Sequence, residues 1–472
     1  MKTKLIQNLS VNATQLVLNQ LLGLGIFYIL STGLDKTSFG EINLALAVLL
    51  AVFNILSFGI DQLIIKKIAA EGNIPQLLSL YFFHVIIAGL LCYILFFSGI
   101  TFFKSTDHIY TIILLIGLGK MMIFFSTPFK QAATGLEKFR LLAYMLLVSN
   151  IIRCAGLAVL AIMHQLNMHN IIIVFISGDV IEFLLCIYLF IRATKIKLTY
   201  KVTIPDYKAL LFESLPQTGV VLITSALARF DWIFIGFILT AAKLAEYSFA
   251  YKIFEISTLP LLAIAPLLIP KFTKLFKQGD MPMPALNYLV KIEMIIAALT
   301  ILLLNIGWAP IIDFITAGKY GAVNVRTIFI LSLCIPLLYL NNFFWTINFA
   351  KGRLKMILTS FIITFIVNVG GDILLIPILK NEGAAIAFLA ACIVQFCYYM
   401  YKTRIEGLNH TWYPLIICLA CAIISGIVVK MLTQNIWIMF PSSVSIYIIL
   451  LFITRQIKLN GRKEMLSLIN LN

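Results

Sequence analysis

Charge is what this sequence has least of. Only 12% of its 472 residues are Asp, Glu, Lys or Arg, about half the share of a soluble protein. The length would suit about three soluble domains, yet no stretch is polar enough, for long enough, to make one. With 61% of residues hydrophobic and a mean hydropathy of +1.01, the chain carries more apolar surface than a water-soluble fold can hide. A disulfide framework is missing too. All eight cysteines (Cys92, Cys154, Cys186, Cys334, Cys392, Cys397, Cys418, Cys421) lie in apolar runs, where a thiol behaves as a small hydrophobe. Cys418 and Cys421 form a C-x-x-C without flanking polar ligands, which argues against a metal or redox motif. The histidines His84, His108, His164, His169 and His410 are dispersed, and no cysteine or carboxylate cluster joins them as a metal site would need.

Apolar runs long enough to cross a bilayer of about 30 Å recur instead along the whole chain. They lie near 11–31, 42–63, 78–100, 109–129, 141–163, 170–191, 211–238, 245–269, 284–305, 325–348, 355–378, 383–401, 411–430 and 437–454. The expected fold is an all-α polytopic membrane protein with about 14 transmembrane helices. Met1-Lys2-Thr3-Lys4 opens like a signal peptide, but Asn12, Gln15, Asn19 and Gln20 interrupt the apolar run behind it, so the segment is expected to stay as the first helix.

The formal charge of +16 would suggest nucleic acid in a soluble domain; its placement makes it a topology signal. One set of alternate connections carries about 24 Lys and Arg, Lys130 among them, and the other only Lys36, Lys104, Lys243, Lys319, Arg326, Lys380 and Lys430. Basic residues concentrate on the cytoplasmic side, so both termini are expected there and no nucleic-acid partner is implied. Trp308, Trp412 and Trp437 fall near span ends, as interfacial rings do. The longest outer connection, about 306–324, is too short to hold the acceptor of a membrane glycan polymerase or ligase.

An internal repeat organises the spans. Phe39-Gly40-Glu41 and Leu244-Ala245-Glu246 stand 205 residues apart, as do Lys66 and Lys271, and Gly135 to Arg140 is echoed by Lys351 to Lys355. Two six-helix lobes, 1–200 and 201–405, followed by a helix pair and tail over 406–472, account for this, and transporters are often built so.

Several ionisable residues fall inside spans: Lys120, Arg153, Asp179 with Glu182, Arg229 with Asp231, and Lys252 with Glu255. Each costs about 2.5–3.5 kcal/mol there if unpaired. Two readings are open. Lys120, Arg153, Arg229 and Lys252 could attract an anionic headgroup in a wet chamber between the lobes. Alternatively the charges pair internally, Lys252 with Glu255 along one helix face, and Asp179 and Glu182 with Lys120 or Arg153. Asp179 and Glu182 are also candidates for proton coupling, because like charges on one face hinder each other's ionisation. Asn12, Gln15, Asn19, Asn150, Asn341 and Asn368 could meet sugar hydroxyls or could join neighbouring helices.

Three stretches carry a family resemblance. The first span leads through Thr37-Ser38-Phe39-Gly40-Glu41 into the second. Phe212-Glu213-Ser214-Leu215-Pro216 precedes Ala228-Arg229-Phe230-Asp231, then Ala245 to Lys252. Asn368 is followed by Ile376-Pro377 and Gly383-Ala384-Ala385-Ile386-Ala387. Together they resemble the Wzx-type polysaccharide-transporter family of the multidrug/oligosaccharidyl-lipid/polysaccharide (MOP) exporter superfamily. Where related sequences often read Arg-x-Asp-Arg, this chain has Trp232 after Asp231, so one cation is missing. The resemblance implies a MATE-like fold and a flippase, not an enzyme. It would carry undecaprenyl-pyrophosphate-linked oligosaccharides across the bacterial inner membrane for O-antigen, capsule or related glycans. It further implies no cofactor, proton or sodium coupling as an open question, and a glycan polymerase and chain-length proteins as further partners. The rival readings are a multidrug or cation antiporter, whose first span usually holds a carboxylate, and a lipid II flippase, whose first helices hold more arginine.

Overall fold

The computed structural model describes residues 2–70, 73–102, 108–199, 203–261, 272, 283–403 and 412–457. Lys104, Lys201, Lys271, Lys274, Lys277, Arg404, His410, Lys458, Arg462, Lys463 and the Asn12 side chain lie outside the described residues. Apart from one 3₁₀ turn, all regular structure among them is α-helix: α1 (Lys2–Gly33), α2 (Lys36–Leu56), α3 (Ile60–Ala69), α4 (Ile74–Phe102), α5 (His108–Gly135), α6 (Phe139–Ile162), α7 (Met168–Thr194), α8 (Ile204–Ile238), α9 (Ala241–Ser257), α10 (Met283–Thr316), α11 (Val325–Ala350), α12 (Leu354–Lys402), α13 (Trp412–Leu432) and α14 (Ile436–Ile453). Ten of these are long and apolar enough to cross a membrane. The remaining expected spans fall on α1, α8, α9 and the second arm of α12, with positions 262–269 of the span expected at 245–269 outside the described residues.

Only helices satisfy every backbone group within one membrane segment, and the sequence marks where they start and stop. Asp35 caps α2, its carboxylate accepting from the Thr37 and Ser38 amides at 2.9 and 3.1 Å. The cap of α9 stands 205 residues later, where Thr240 Oγ1 accepts from the Lys243 amide at 3.2 Å. The run expected at 42–63 is broken: Phe58 and Gly59 take left-handed φ values of 53° and 67°, ending α2 and starting α3. The two runs at 355–378 and 383–401 form the two helical arms of α12, which meet at a sharp break at Lys380 (φ 55°, ψ −129°). Its arms fold back on each other, since the Ser360 hydroxyl donates to the Tyr399 hydroxyl at 2.8 Å across 39 residues.

The chain divides into two compact units, Met1–Gly236 with Thr240–Ala245, and Phe237–Leu239 with Glu246–Asn472. Nearly all of α8 belongs to the first unit. Physical ties explain why α8 stays with the first unit. Thr218 Oγ1 donates to the Phe58 carbonyl at 2.9 Å, Lys67 pairs with Glu213 at 2.5 Å, and the Tyr207 hydroxyl meets His84 Nδ1 at 2.9 Å. In the first unit α5 packs along α7, α4, α3 and α2, while α6 lies between α1 and α7. Tyr81, Phe124, Phe129 and Phe190 fill the α4–α5–α7 core. In the second unit α10 packs on α11, α13 and α14, and α11 on α12.

The connection expected at 306–324 is mostly helix, because α10 runs on to Thr316. Asp313 accepts from the Gly321 and Ala322 amides at 2.7 and 2.9 Å, and Trp308 Nε1 donates to the Gly321 carbonyl at 2.9 Å. Trp308 is therefore a buried turn anchor, 4% exposed, rather than an interfacial ring; Trp412 and Trp437, at 45% and 86%, remain on the surface.

Candidate functional site

Five charged side chains converge among α5, α6 and α7 of the first unit. Asp179 and Glu182 stand one turn apart on α7 and so share a face. Asp179, fully buried, accepts two cations: Arg153 of α6 forms an ion pair with it, and Lys120 Nζ of α5 lies 3.4 Å away. Glu182 pairs with Lys130, one helical stretch further along α5. Three cations face two carboxylates, which leaves one positive charge in excess. Lys130 is thus no loop cation; it is 8% exposed inside α5, which continues to Gly135.

Small residues allow the helices to close on this cluster, as close packing in membranes requires. A methyl group on Gly119 would stand 2.7 Å from Asp179 Oδ2 and 3.2 Å from the Ile176 Cα, and one on Gly178 would stand 3.2 Å from the Ser149 carbonyl oxygen. The Arg153 guanidinium lies over the Phe175 ring at 5.0 Å. It also donates to Asn150 Oδ1 at 3.4 Å, and Asn150 donates in turn to Asn19 Oδ1 of α1 at 2.6 Å. A polar relay thus runs from α1 through α6 to α7. Gln15, also on α1, is buried.

The other candidates are not part of this cluster. On α8 the Arg229 guanidinium lies 4.5 Å from the centre of the Trp232 ring, and Asp231 accepts from the Trp232 amide at 2.9 Å. Trp232 therefore serves as a platform for the cation that precedes it. On α9 Lys252 pairs with Glu255 at 2.8 Å, the i,i+3 contact that the spacing allows. Asn341 donates to the Cys392 carbonyl at 3.1 Å, tying α11 to α12, and Asn368 reaches Asp372 Oδ2 at 3.5 Å within α12.

Three buried carboxylates among the described residues have no place among the candidate site residues: Glu246 on α9, Asp372, fully buried, and Glu293 on α10, 1% exposed. A signal for Glu293 was present. Its i±3 and i±4 neighbours are Val290, Ile296, Leu289 and Ala297, an acid set in an apolar face.

Long apolar helices with a few charges buried among them define a multi-pass membrane protein, and the fold is that of the MOP transporters. The lipid II flippase MurJ in an inward closed conformation matches with a TM-score of 0.77 at 15% identity, covering 94% of this chain and 98% of that one. An inward-facing multidrug resistance MATE transporter of the MOP superfamily matches at 0.64 and 14%, covering 83% and 98%. A MOP superfamily transporter from Pyrococcus furiosus matches at 0.57 and 13%, covering 83% and 93%. No curated protein sequence matches the chain. The family described as "Polysaccharide biosynthesis protein" matches residues 5–276, and the chain belongs to it.

Proposed function

We propose that this protein is a flippase, not an enzyme, that moves undecaprenyl-pyrophosphate-linked oligosaccharides from the inner to the outer leaflet of the bacterial inner membrane. The glycans served are O-antigen, capsule or related surface polysaccharide, and both termini of the protein are cytoplasmic. The observation that carries the reading is the positive excess of the buried cluster formed by Lys120, Lys130, Arg153, Asp179 and Glu182. An uncompensated cation inside a membrane protein seeks an anion, and a diphosphate is one. Lys120, held at 3.4 Å and one-fifth exposed, is the cation most easily released to a phosphate.

Such a headgroup cannot cross hydrocarbon unaided, since burying each charge costs several kcal/mol or more. A wet path lined by Lys120, Arg153 and Arg229, with the lipid tail left in the bilayer, removes most of that barrier. Alternating access then exposes the path to one side at a time. The membrane potential assists outward movement of a negative group by about 2.3 kcal/mol per charge per 100 mV. Deletion should make a lipid-linked glycan accumulate on the inner face. Substituting Lys120, Arg153 and Arg229 together by Gln or Met, with Asp179→Asn so that no buried carboxylate is left unbalanced, should abolish rescue while leaving the protein in the membrane. Unchanged glycan export in that combined variant sinks the reading.

The likeness to MurJ favours one second reading, that lipid II is the cargo. Rescue of cells depleted of their own lipid II flippase would support it; rescue of surface glycan alone would exclude it.

A further inference from the structure

Among the described residues of the second unit, one buried carboxylate has neither oxygen hydrogen-bonded. Glu293 of α10 is 1% exposed, and among the described residues neither side-chain oxygen has a hydrogen-bond or salt-bridge partner. On α11, which packs against α10, the Tyr339 phenol is fully buried and its hydroxyl also lacks a hydrogen-bond partner. No described cation offers itself from the elements packed on α10. On α13 the titratable groups are Tyr413, Cys418, Cys421 and Lys430, on α11 Arg326, Cys334 and Tyr339, and on α14 Tyr447, whose hydroxyl donates to the Ile295 carbonyl at 3.0 Å. Lys291 precedes Glu293 by two residues, hence on another face, and its ammonium donates to the Arg455 carbonyl at 2.9 Å. Arg326 of α11 and Lys430 of α13 line a groove with Asn305 and Ile306, about 18 Å further along α10.

A lone carboxylate removed from water costs several kcal/mol or more, and such a group neutralises itself by taking a proton. A neutral carboxyl carries no charge to desolvate and can both donate and accept. Asp179 and Glu182 are poorer proton sites, because a proton there must displace a buried cation that already holds the charge. We propose that Glu293 is the proton-binding site of the second unit, loaded when the protein is free of cargo and unloaded to water during the transport cycle, so that export is coupled to the proton gradient. This rests on the reading of the protein as a transporter.

Two measurements test it. Infrared difference spectra of the full-length protein in nanodiscs, recorded across a pH titration, should show the carbonyl band of a buried protonated carboxyl. Glu293→Gln should remove that band and Glu293→Asp should shift it. A band that survives Glu293→Gln overturns the site, and this arm needs no cargo. In cells, dissipating the pH gradient with nigericin should lower surface glycan several-fold in the wild type. The Gln variant should export at a low rate that nigericin does not change. If the band is lost but the Gln variant keeps the wild-type nigericin response, coupling through Glu293 is overturned while the binding site stands. Should Glu293→Gln fail to accumulate in the membrane, Glu293→Asp carries both readouts, its shifted band and altered nigericin response supporting the site and unchanged values rejecting it. If deletion of the whole protein leaves every lipid-linked glycan unaffected, the cargo reading fails, and the infrared result still decides Glu293.

Discussion

Lys130 of α5 and Glu182 of α7 form an ion pair in which both side chains are buried. Removing one partner of such a pair is expensive because the other charge is left unbalanced, about 3–5 kcal/mol, whereas replacing both by apolar groups of similar size is often neutral. Lys130→Met should therefore lower thermal stability in detergent sharply. The double variant Lys130→Met with Glu182→Leu should recover most of the loss. Equal melting temperatures for the single and double variants would show that the pair does not hold α5 to α7.

Gly119→Ala should destabilise by about 1–3 kcal/mol, the range for overpacking. The added methyl meets the Asp179 carboxylate and the α7 backbone, so it should lower glycan export as well. Gly370→Ala on α12 is the control. Nothing lies within 4 Å of the new methyl there, and alanine should add about 0.5–1 kcal/mol through helix propensity.

Asn341 offers a choice between structure and cargo. Its amide ties α11 to the Cys392 carbonyl, and interhelical hydrogen bonds in membranes average about 0.6 kcal/mol, with about 1.7 at most. Asn341→Leu should cost stability in that range and lower export only in proportion. A loss of export far beyond the loss of stability would instead assign Asn341 to sugar contact.

The Asp35 cap gives a pH-dependent prediction. Hydrogen bonding from the Ser38 side chain is the largest influence on its carboxyl; burial opposes it, and the amides of Ser38 and Thr37 add to the lowering, so the group is held below the usual aspartate value. A carboxyl depressed on folding stabilises the fold above its unfolded value, and that contribution is lost as pH falls through the folded one. Asp35→Ala should therefore cost about 1 kcal/mol at neutral pH, and the gap between variant and wild type should close in acid. A gap that is constant from neutral to acid pH would show that the carboxylate form is not what caps α2.

The helical repeat was legible because apolar length and basic alternation are local properties, and so was the Lys252–Glu255 pair, whose partners lie three residues apart. What escaped depends on distance along the chain or on backbone shape. Lys130 looked like a loop cation because Glu182 is 52 residues away. Pairing of Asp179 with Lys120 or Arg153 was one of the two readings open in the sequence, and helix packing brings both cations to that one carboxylate. The break at Phe58–Gly59 interrupts a run whose composition does not change. Trp308 was misread for a related reason, since the turn that accepts its indole proton forms only when Asp313 gathers the Gly321 and Ala322 amides.

The reversal of α12 at Lys380 has a consequence for how the protein is made and mapped. With a single residue outside helical geometry, synthesis delivers no soluble stretch of chain at that turn. The two arms enter the bilayer as one hairpin, each covering the other. A reporter spliced in at Lys380 would prise the arms apart before it could say which side of the membrane it had reached. Fusion mapping of this chain should therefore fail at Lys380.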